Sequence, residues 1–309
     1  PAEAKKAHKN ARREAVANNF EAVAREWISV KGTNWSEGYA AKIEARLKNN
    51  VYPWIGSAPV SEVKAPKILE LLREIEKRNA LDMAGRVKQT IGQIMRYAVA
   101  TGRAEYDPTP SLNGALTAAP TKHMASVTDP ARVGELLRAF DAFTGTHTVR
   151  CALRLAPYVF VRIGELRKMK WADLDLEKGI WTIPAAVMKM RESHLVPLSS
   201  QAVEIIKEMQ PLSGHCEYVF TGGRDPKRPM SDAAINAALR RLGIDTQHEL
   251  TGHGFRAMAR TILHERLHYQ PEVIEVQLAH KTSEKLGEAY ARAKFIEKRI
   301  EMMQAWATY

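Results

Sequence analysis

The stretch VFVRIGELRKMKW, residues 159–171, places the charged side chain of Arg162 inside an otherwise apolar run. Glu165 lies three residues further on and could orient the guanidinium, and Gly164 permits a tight approach to it. Taken alone, the pair also fits an ordinary salt bridge between neighbouring turns. The chemistry of this stretch therefore depends on what the rest of the chain brings to it.

The only strand signals follow this stretch. Residues 180–183 (IWTI) are bounded by Gly179 and Pro184, residues 194–198 read HLVPL, and residues 218–220 are a third short candidate. Helical periodicity covers most of the remaining chain. The sequence therefore predicts a mainly α protein, with a helical first domain and a mixed α+β second domain built on a small antiparallel sheet.

The length of 309 residues is sufficient for two domains with separate cores. Residues 1–16 are predicted to form a basic linker and residues 17–105 a helical domain. Residues 106–126, rich in Pro, Ala, Ser and Thr without a period, are predicted to form a linker between domains. Residues 127–309 then form the second domain, and its last residues, EMMQAWATY, are expected to form a C-terminal helix.

Charge and composition restrict the partners. Lys plus Arg number 46 against 35 Asp plus Glu, which favours a polyanionic partner, nucleic acid before an anionic membrane surface. Two cysteines are too few for a disulfide framework or a cysteine-based zinc site, and they fit a reducing cytoplasm. No apolar run reaches the roughly 18 residues that span a bilayer. No phosphate-binding loop or dinucleotide fingerprint is present, so no cofactor or metal is predicted.

Cleavage of a phosphodiester by a side chain requires fixed positive charge on the non-bridging oxygens, a base for the nucleophile and an acid for the leaving oxygen. His253 and Arg256, in ELTGHGFRAMART, are three residues apart and share a helical face. Thr251 is a possible N-cap, which would place the pair in a first turn that favours phosphate. His280 ends the apolar stretch VIEVQLAH.

A tyrosine and a lysine complete this set. Tyr290 is a suitable nucleophile because a phenol is more acidic than an alkyl hydroxyl, and Arg292 and Lys294 follow it for neighbouring phosphates. Lys189, in VMKMRESHLVPLS, suits general acid work. Its rivals are Arg191 and Lys170. Each residue alone has an ordinary structural explanation, and only their joint occurrence favours chemistry.

The ordered set resembles the tyrosine recombinase family, most closely the phage and genomic-island integrases. It is carried by Arg162, Lys189, His253, Arg256, His280 and Tyr290, in the motifs RIGEL, WTIP, MK, VPL, HGFR, LAH and AY. The resemblance extends over residues 17–300. It implies that residues 17–105 are a core-binding domain and residues 127–309 a catalytic domain, which together clamp double-stranded DNA. Such integrases usually carry an arm-binding domain before these two.

The resemblance also implies a role for each residue. Tyr290 would attack the scissile phosphate and form a 3′-phosphotyrosine without metal or ATP. Arg162, Arg256 and His280 would hold the non-bridging oxygens. His253 would assist proton transfer at the tyrosine, and Lys189 would protonate the 5′ oxygen. Four protomers would exchange strands through a Holliday junction at attachment sites, with accessory DNA-bending or excisionase proteins as possible partners.

Two alternatives remain at this stage. A type IB topoisomerase uses similar residues but relaxes supercoils as a monomer. Residues 264–268 (HERLH) also match the HExxH zinc-peptidase pattern on a predicted helix, with Glu284 or Glu288 as a third ligand. Against zinc, the apolar residues around Phe255 and Ile262 already define the buried face of that helix, so both histidines fall toward its polar side.

Overall fold

The computed structural model describes residues 18–33, 35, 37–120, 125–188, 191–280 and 295–309. The chain divides into two compact units, Pro1–Lys122 and His123–Tyr309. Each unit has its own apolar core. Within the described residues, no helix combines the length and the apolar character needed to cross a membrane.

The described part of the first unit is helical. Its elements are α1 (Phe20–Gly32), α2 (Glu37–Asn50), a π-helical turn (Tyr52–Gly56), a 3-10 turn (Val60–Glu62), α3 (Ala65–Lys77), α4 (Leu81–Ala100) and a 3-10 turn (Thr109–Leu112). Asn19 caps α1 by accepting a hydrogen bond from the backbone N–H of Ala22 at 2.8 Å. After α4 the chain turns at Gly102, whose φ of +72° favours glycine.

The predicted apolar faces of these helices form the core. Helix α4 buries the face that periodicity indicates, namely Val87, Ile91, Ile94, Met95 and Ala98. Helix α1 likewise buries Phe20, Val23, Ala24 and Trp27. Part of the segment predicted to be a linker, Thr109–Leu112, is ordered into a turn, and Leu112 is buried in this core.

The second unit is mainly helical and contains a small sheet. Its elements are α5 (Pro130–Asp141), α6 (His147–Val159), α7 (Ile163–Leu166), a 3-10 turn (Trp171–Asp173), β1 (Leu174–Asp175), β2 (Ile180–Ile183), β3 (His194–Pro197), α8 (Ser200–Glu208), α9 (Gln210–Ser213), α10 (Ala234–Arg241), α11 (Gly254–Glu265), α12 (Pro271–Gln277) and α13 (Ile296–Thr308). The mainly α architecture with an antiparallel sheet agrees with the prediction.

The sheet has the order β1-β2-β3 with antiparallel pairing throughout. Ile183 pairs with His194, and Leu174 pairs with Trp181. Trp181 and Ile183 are buried whereas Thr182 is exposed, the alternation expected of a strand with one face on the core.

The prediction of a third strand at residues 218–220 is wrong, because that place in the sheet belongs to Leu174–Asp175. Tyr218 makes only an isolated bridge with Lys170. Val219 and Phe220 are fully buried in the core, which explains their apolar character without a ladder of strand hydrogen bonds.

The C-terminal helix α13 packs within its own unit. Met302 and Met303 are buried, and the indole Nε1–H of Trp306 donates to the carbonyl oxygen of Pro157 in α6 at 2.9 Å. Their apolar face is covered by α6 and β3 of the same chain. Docking of these residues on a neighbouring protomer, which the family resemblance implies, stays a prediction.

Candidate active site

A sharp turn between α6 and α7 presents the first arginine. Phe160 adopts a left-handed conformation (φ 35°) that ends α6, and Arg162 then caps the short helix α7. Nη1 of Arg162 donates to Oε1 of Glu165 at 2.8 Å, and the backbone N–H of Arg162 donates to Oε2 at 2.9 Å. Glu165 is buried, while a quarter of the Arg162 side chain (24%) remains exposed. The carboxylate therefore fixes the guanidinium in one orientation without closing it off from solvent.

The second arginine lies in the first turn of α11. Arg256 is buried, and its Nη1 donates to the carbonyl oxygen of Phe160 at 3.0 Å. Its Nη2 donates to the carbonyl oxygen of Leu278 at 2.6 Å. Burial lowers the pKa of Arg256 to about 10, and the positive charge of Arg162 adds to this effect. The side chain stays protonated at neutral pH, and the two guanidinium charges lie close enough to repel each other.

His280 extends this cluster. Its Nε2 lies 3.1 Å from Nη2 of Arg256, and its Nδ1 lies 2.5 Å from Oε2 of Glu275. Because a guanidinium only donates, Nε2 accepts and Nδ1 carries the proton. Glu275 also accepts from Nε of Arg260 at 2.6 Å. Burial works to raise the pKa of Glu275, but the hydrogen bonds from Arg260 and His280 outweigh it and lower that pKa, so the carboxylate is ionised.

His253 lies immediately before α11, whose first residue is Gly254. The expectation that His253 belongs to the first turn is therefore off by one residue. Thr251 accepts from the N–H of Gly254 at 3.0 Å and so shapes the turn that leads into the helix. Desolvation, followed by the charges of Arg256 and Arg162, lowers the pKa of His253. The imidazole is consequently neutral at pH 7 and able to accept a proton.

A second buried network supports the end of α12. Nε2 of His194 donates to the carbonyl oxygen of Gln277 at 3.0 Å. Arg299, in α13, donates to Oε1 of Gln277 through Nε (2.8 Å) and Nη2 (2.7 Å), and to the carbonyl oxygen of Leu195. Burial, with the charge of Arg299 adding to it, lowers the pKa of His194 to about 3, so this histidine is neutral. The network fixes the chain just before Leu278 and His280.

Four predicted residues, Lys189, Tyr290, Arg292 and Lys294, lie outside the described residues. Of the two rivals for the general acid, Lys170 forms an ion pair with Glu217 at 2.8 Å and stacks over the ring of Tyr218. Arg191 is exposed and has a φ of 56°. The structure thus brings together Arg162, His253, Arg256 and His280 of the predicted set.

The zinc-peptidase interpretation fails on the geometry of its helix. Helix α11 ends at Glu265, and His268 adopts a left-handed conformation with φ of 56°. His264 and His268 therefore do not occupy successive turns of one helix, which the HExxH pattern requires. Its predicted third ligands, Glu284 and Glu288, lie outside the described residues.

Sequence reasoning missed the supporting residues Glu275, Gln277, His194 and Arg299. Glu275 precedes His280 by five residues, a spacing that no single helix rule assigns to one face, and α12 ends between them. The sequence did carry signals for three of them. Glu275 and Gln277 are polar residues inside the apolar run VIEVQL, and Arg299 lies at helical spacing from Phe295, Met302 and Met303. The sequence does not indicate their partners, because His194 and Gln277 are 83 residues apart and Arg299 and Gln277 are 22 residues apart.

Solved structures share this fold. The chain superposes on lambda integrase, in the crystal structure of a tetramer bound to a Holliday junction, with a TM-score of 0.68 at 17% identity, covering 87% of this chain and 79% of that one. It superposes on the Tn1549 transposon integrase in complex with a circular intermediate DNA with a TM-score of 0.69 at 13% identity, covering 93% and 94%.

Sequence comparisons assign the family. Residues 20–115 match the phage integrase central domain, and residues 126–297 match the phage integrase family. The integrase of Enterobacteria phage P4 is 34% identical over 306 aligned positions, covering 95% of this chain and 69% of the relative. The integrase of Shigella phage Sf6 is 33% identical over 311 positions, covering 100% and 78%. The chain therefore belongs to the phage integrase family and is a tyrosine-type site-specific recombinase.

Proposed function

We propose that this recombinase cleaves and rejoins double-stranded DNA through a 3′-phosphotyrosine on Tyr290, and thereby integrates or excises a mobile element. The observation that carries the proposal is the convergence of Arg162, Arg256, His280 and His253 at the α6–α7 turn, the start of α11 and the end of α12. Family membership supports the same chemistry.

The two arginines supply the charge that the transition state needs. The positive charge of Arg162 repels that of Arg256 and helps to lower the pKa of Arg256. A scissile phosphate between the guanidiniums relieves that repulsion, and the effect grows as negative charge develops on the non-bridging oxygens. Glu165 holds Arg162 and two backbone carbonyls hold Arg256, so neither guanidinium has to reorganise during the reaction.

His280 joins the arginines in its protonated form. Without DNA, its Nε2 accepts a hydrogen bond from Arg256. To donate to a phosphate oxygen, Nε2 must gain a proton, which makes the ring an imidazolium. The ionised Glu275 at Nδ1 stabilises that cation, as a buried carboxylate does for a catalytic histidine. Glu275 is thus a positioning residue for His280.

The proton transfers follow from the remaining groups. In the forward step the Tyr290 oxygen bonds to phosphorus as the bond to the 5′ oxygen breaks. Neutral His253 accepts the phenol proton, and Lys189 delivers a proton to the leaving oxygen. The reverse steps rejoin the strand, because the energy of the phosphodiester is retained in the phosphotyrosine.

The partners follow from the same chemistry. The structure of lambda integrase contains a tetramer on a Holliday junction. By analogy, four copies of this chain assemble on paired attachment sites and exchange strands, and Arg292 and Lys294 contact neighbouring phosphates. Accessory proteins that bend DNA, or an excisionase, set the direction of the reaction. A net charge of +11 supports binding to the duplex backbone.

The test uses nicked suicide duplexes taken from the flanks of the protein's own gene, incubated with chelator and without added metal. The unaltered protein is expected to give a denaturant-resistant protein–DNA band whose attached peptide contains Tyr290. Tyr290→Phe is expected to remove the band and keep DNA binding, whereas Tyr309→Phe, a matched change at an exposed tyrosine, keeps both.

Three outcomes contradict the proposal. A band that survives in Tyr290→Phe assigns the nucleophile elsewhere. Loss of binding together with cleavage in Tyr290→Phe gives the residue a structural role. Relaxation of supercoiled DNA by the monomer, without strand exchange between two sites, favours topoisomerase-type chemistry instead.

A further inference from the structure

A second cluster of reactive side chains lies at the other end of α6. His147 and Cys151 are four residues apart in the first turns of α6 and share one face of the helix. Glu208, the last residue of α8, faces them from the helix packed alongside. Cys151 is fully buried, His147 half-buried and Glu208 exposed. The proposed DNA chemistry uses none of the three.

The spacing of the three side chains matches a tetrahedral metal site. Sγ of Cys151 lies 3.3 Å from Nε2 of His147 and 3.7 Å from Oε2 of Glu208. One ligand atom from each residue lies within 4.8 Å of the others. With Zn–S of about 2.3 Å and Zn–N or Zn–O of about 2.0 Å, a tetrahedral ion separates its ligand atoms by about 3.5 Å. An ion therefore fits with small side-chain movements.

We propose that His147, Cys151 and Glu208 bind one Zn²⁺ ion that links α6 to α8, with water in the fourth position. Thiolate, imidazole and carboxylate together suit Zn²⁺, whereas Mg²⁺ and Ca²⁺ prefer oxygen alone. The exposed carboxylate of Glu208 gives the ion a path from solvent to the buried thiol.

Arg154 supports the carboxylate ligand of the ion. Nη1 of Arg154 donates to both carboxylate oxygens of Glu208 (2.9 and 2.7 Å), and Nε donates to Asp141 at 2.7 Å. This holds Glu208 in place while each oxygen keeps a lone pair for the metal. Nη2 of Arg150 lies 2.9 Å from Nδ1 of His147. Because a guanidinium only donates, Nδ1 accepts this hydrogen bond. When Zn²⁺ binds Nε2, the ring proton moves to Nδ1 and the hydrogen bond with Arg150 is lost.

Charge around the site is close to balanced. Glu208 and Asp141 offset the charges of Arg154 and Arg150. When the ion binds, the Cys151 thiol becomes a thiolate and its proton passes to the buffer, which leaves one net positive charge. The ion therefore enters a nearly neutral environment rather than a cationic one.

The site is remote from the proposed DNA chemistry. Helix α6 runs from His147 to Val159, about 18 Å at 1.5 Å per residue, before the chain reaches Arg162. The ion joins two helices and does not touch the phosphate. Cleavage should therefore persist in chelator, and metal binding can be tested without a DNA substrate.

The experiment titrates tag-free, metal-free protein with Zn²⁺ against a chromophoric chelator, and with Co²⁺ followed by absorption. The unaltered protein is expected to bind one ion and to show a thiolate-to-Co²⁺ charge-transfer band. Cys151→Ser is expected to lose the band and weaken Zn²⁺ binding at least 100-fold, while Cys216→Ser, at the chain's other cysteine, changes neither. His147→Gln and Glu208→Gln should each weaken binding about 10- to 100-fold.

A second readout separates binding from folding. Zn²⁺ at a concentration that just saturates the unaltered protein should raise its Tm by at least 2 °C, and it should raise the Tm of Glu208→Gln, a change at an exposed residue, by less because this variant binds more weakly. The proposal is overturned if no stoichiometric ion binds, or if Cys151→Ser binds as tightly as the unaltered protein. Loss of the ion in His264→Gln alone would assign it to the HERLH segment instead.

Discussion

The two units of this chain differ in what they bury. Among the described residues, the buried polar side chains of the first unit are two threonines, Thr90 and Thr109. Those of the second unit include charged, imidazole and amide groups, namely Glu165, His194, Arg256, Gln277 and Arg299. The first core is held by apolar packing, whereas the second also maintains desolvated charge at fixed positions. Such charge is costly to stability unless every partner is present, and it is the arrangement expected of a catalytic site.

Arginine shows this difference within one residue type. In the first unit, Arg103 pairs with Glu26 and Arg96 with Asp107, each pair having at least one substantially exposed partner. Pairs of this kind contribute little to stability. In the second unit Arg256 is buried and donates to two backbone carbonyls. The surface arginines can be exchanged at small cost, and the buried one cannot.

The largest expected effect comes from removing the buried arginine. Arg256→Ala should lower the rate of DNA cleavage at least about 100-fold, because it deletes fixed charge from the transition state. Arg103→Ala should change that rate less than about tenfold, since it breaks a surface pair. Single-turnover cleavage of a suicide duplex measures both. Arg256→Lys keeps a positive charge and replaces the alanine variant if that variant does not fold. Equal losses of cleavage rate in Arg256→Ala and Arg103→Ala would contradict the comparison between the units.

The next effect concerns stability. Gln277→Leu keeps the side-chain volume but removes the acceptor of two hydrogen bonds from buried Arg299. It should lower the free energy of unfolding by about 2 kcal/mol, as expected for a lost bond to a charged group. Thr90→Val in the first unit removes one hydroxyl that contacts Arg46 and should cost under about 1 kcal/mol. Urea unfolding of both variants measures the two losses in free energy of unfolding. Similar losses in Gln277→Leu and Thr90→Val would contradict the comparison between the units.

A smaller effect tests the support of His280. Glu275→Gln keeps the shape of the side chain but removes the charge that stabilises an imidazolium. Cleavage should slow about tenfold, equivalent to about 1.4 kcal/mol. In the first unit, Glu26 accepts from Arg103 and Tyr97, which lowers its pKa to about 2. Glu26→Gln therefore serves as a matched control, because it removes a paired carboxylate from the first unit. Its rate of DNA cleavage should equal that of the unaltered protein. A slower Glu26→Gln would show that the assay reports stability instead.

The last effect is a dependence of stability on pH, which is graded along the pH scale. The pKa of His194 is about 3 in the folded protein, against an ordinary value of about 6.5. The unfolded chain binds more protons between these values, so the stability from neutral His194 is present above pH 6.5 and is lost as pH falls. The slope approaches about 1.4 kcal/mol per pH unit.

Thermal unfolding between pH 7 and 5 measures this slope. His194→Gln should flatten it, and His215→Gln, at an exposed position of the same unit, should leave it unchanged. His253, whose pKa is also lowered, should leave a shallower slope in this variant. A slope in His194→Gln as steep as that of the unaltered protein would place the titrating group elsewhere in the unit.

The sequence by itself determined the helical faces and the alternation of β2, because both follow from periods of 3.6 and 2 along the local chain. It did not determine the third strand. Leu174–Asp175 has two residues, too few to show the two-residue alternation of a strand. The apolar run at Val219 and Phe220 was predicted to be a strand because its side chains are apolar, although they are buried in the core outside the sheet. The sequence also singled out Arg162, Arg256 and His280, since cations inside or beside apolar runs are conspicuous.

Only the tertiary structure decided how these groups are held. Arg256 is bonded by the carbonyl of Phe160, 96 residues away in the chain, and Arg299 by the carbonyl of Leu195, 104 residues away. Backbone carbonyls are chemically alike, so the residue types in the sequence do not indicate which carbonyl will face a buried guanidinium. That choice is made when α11, α12 and α13 pack together, because a buried charged donor without an acceptor is costly in free energy.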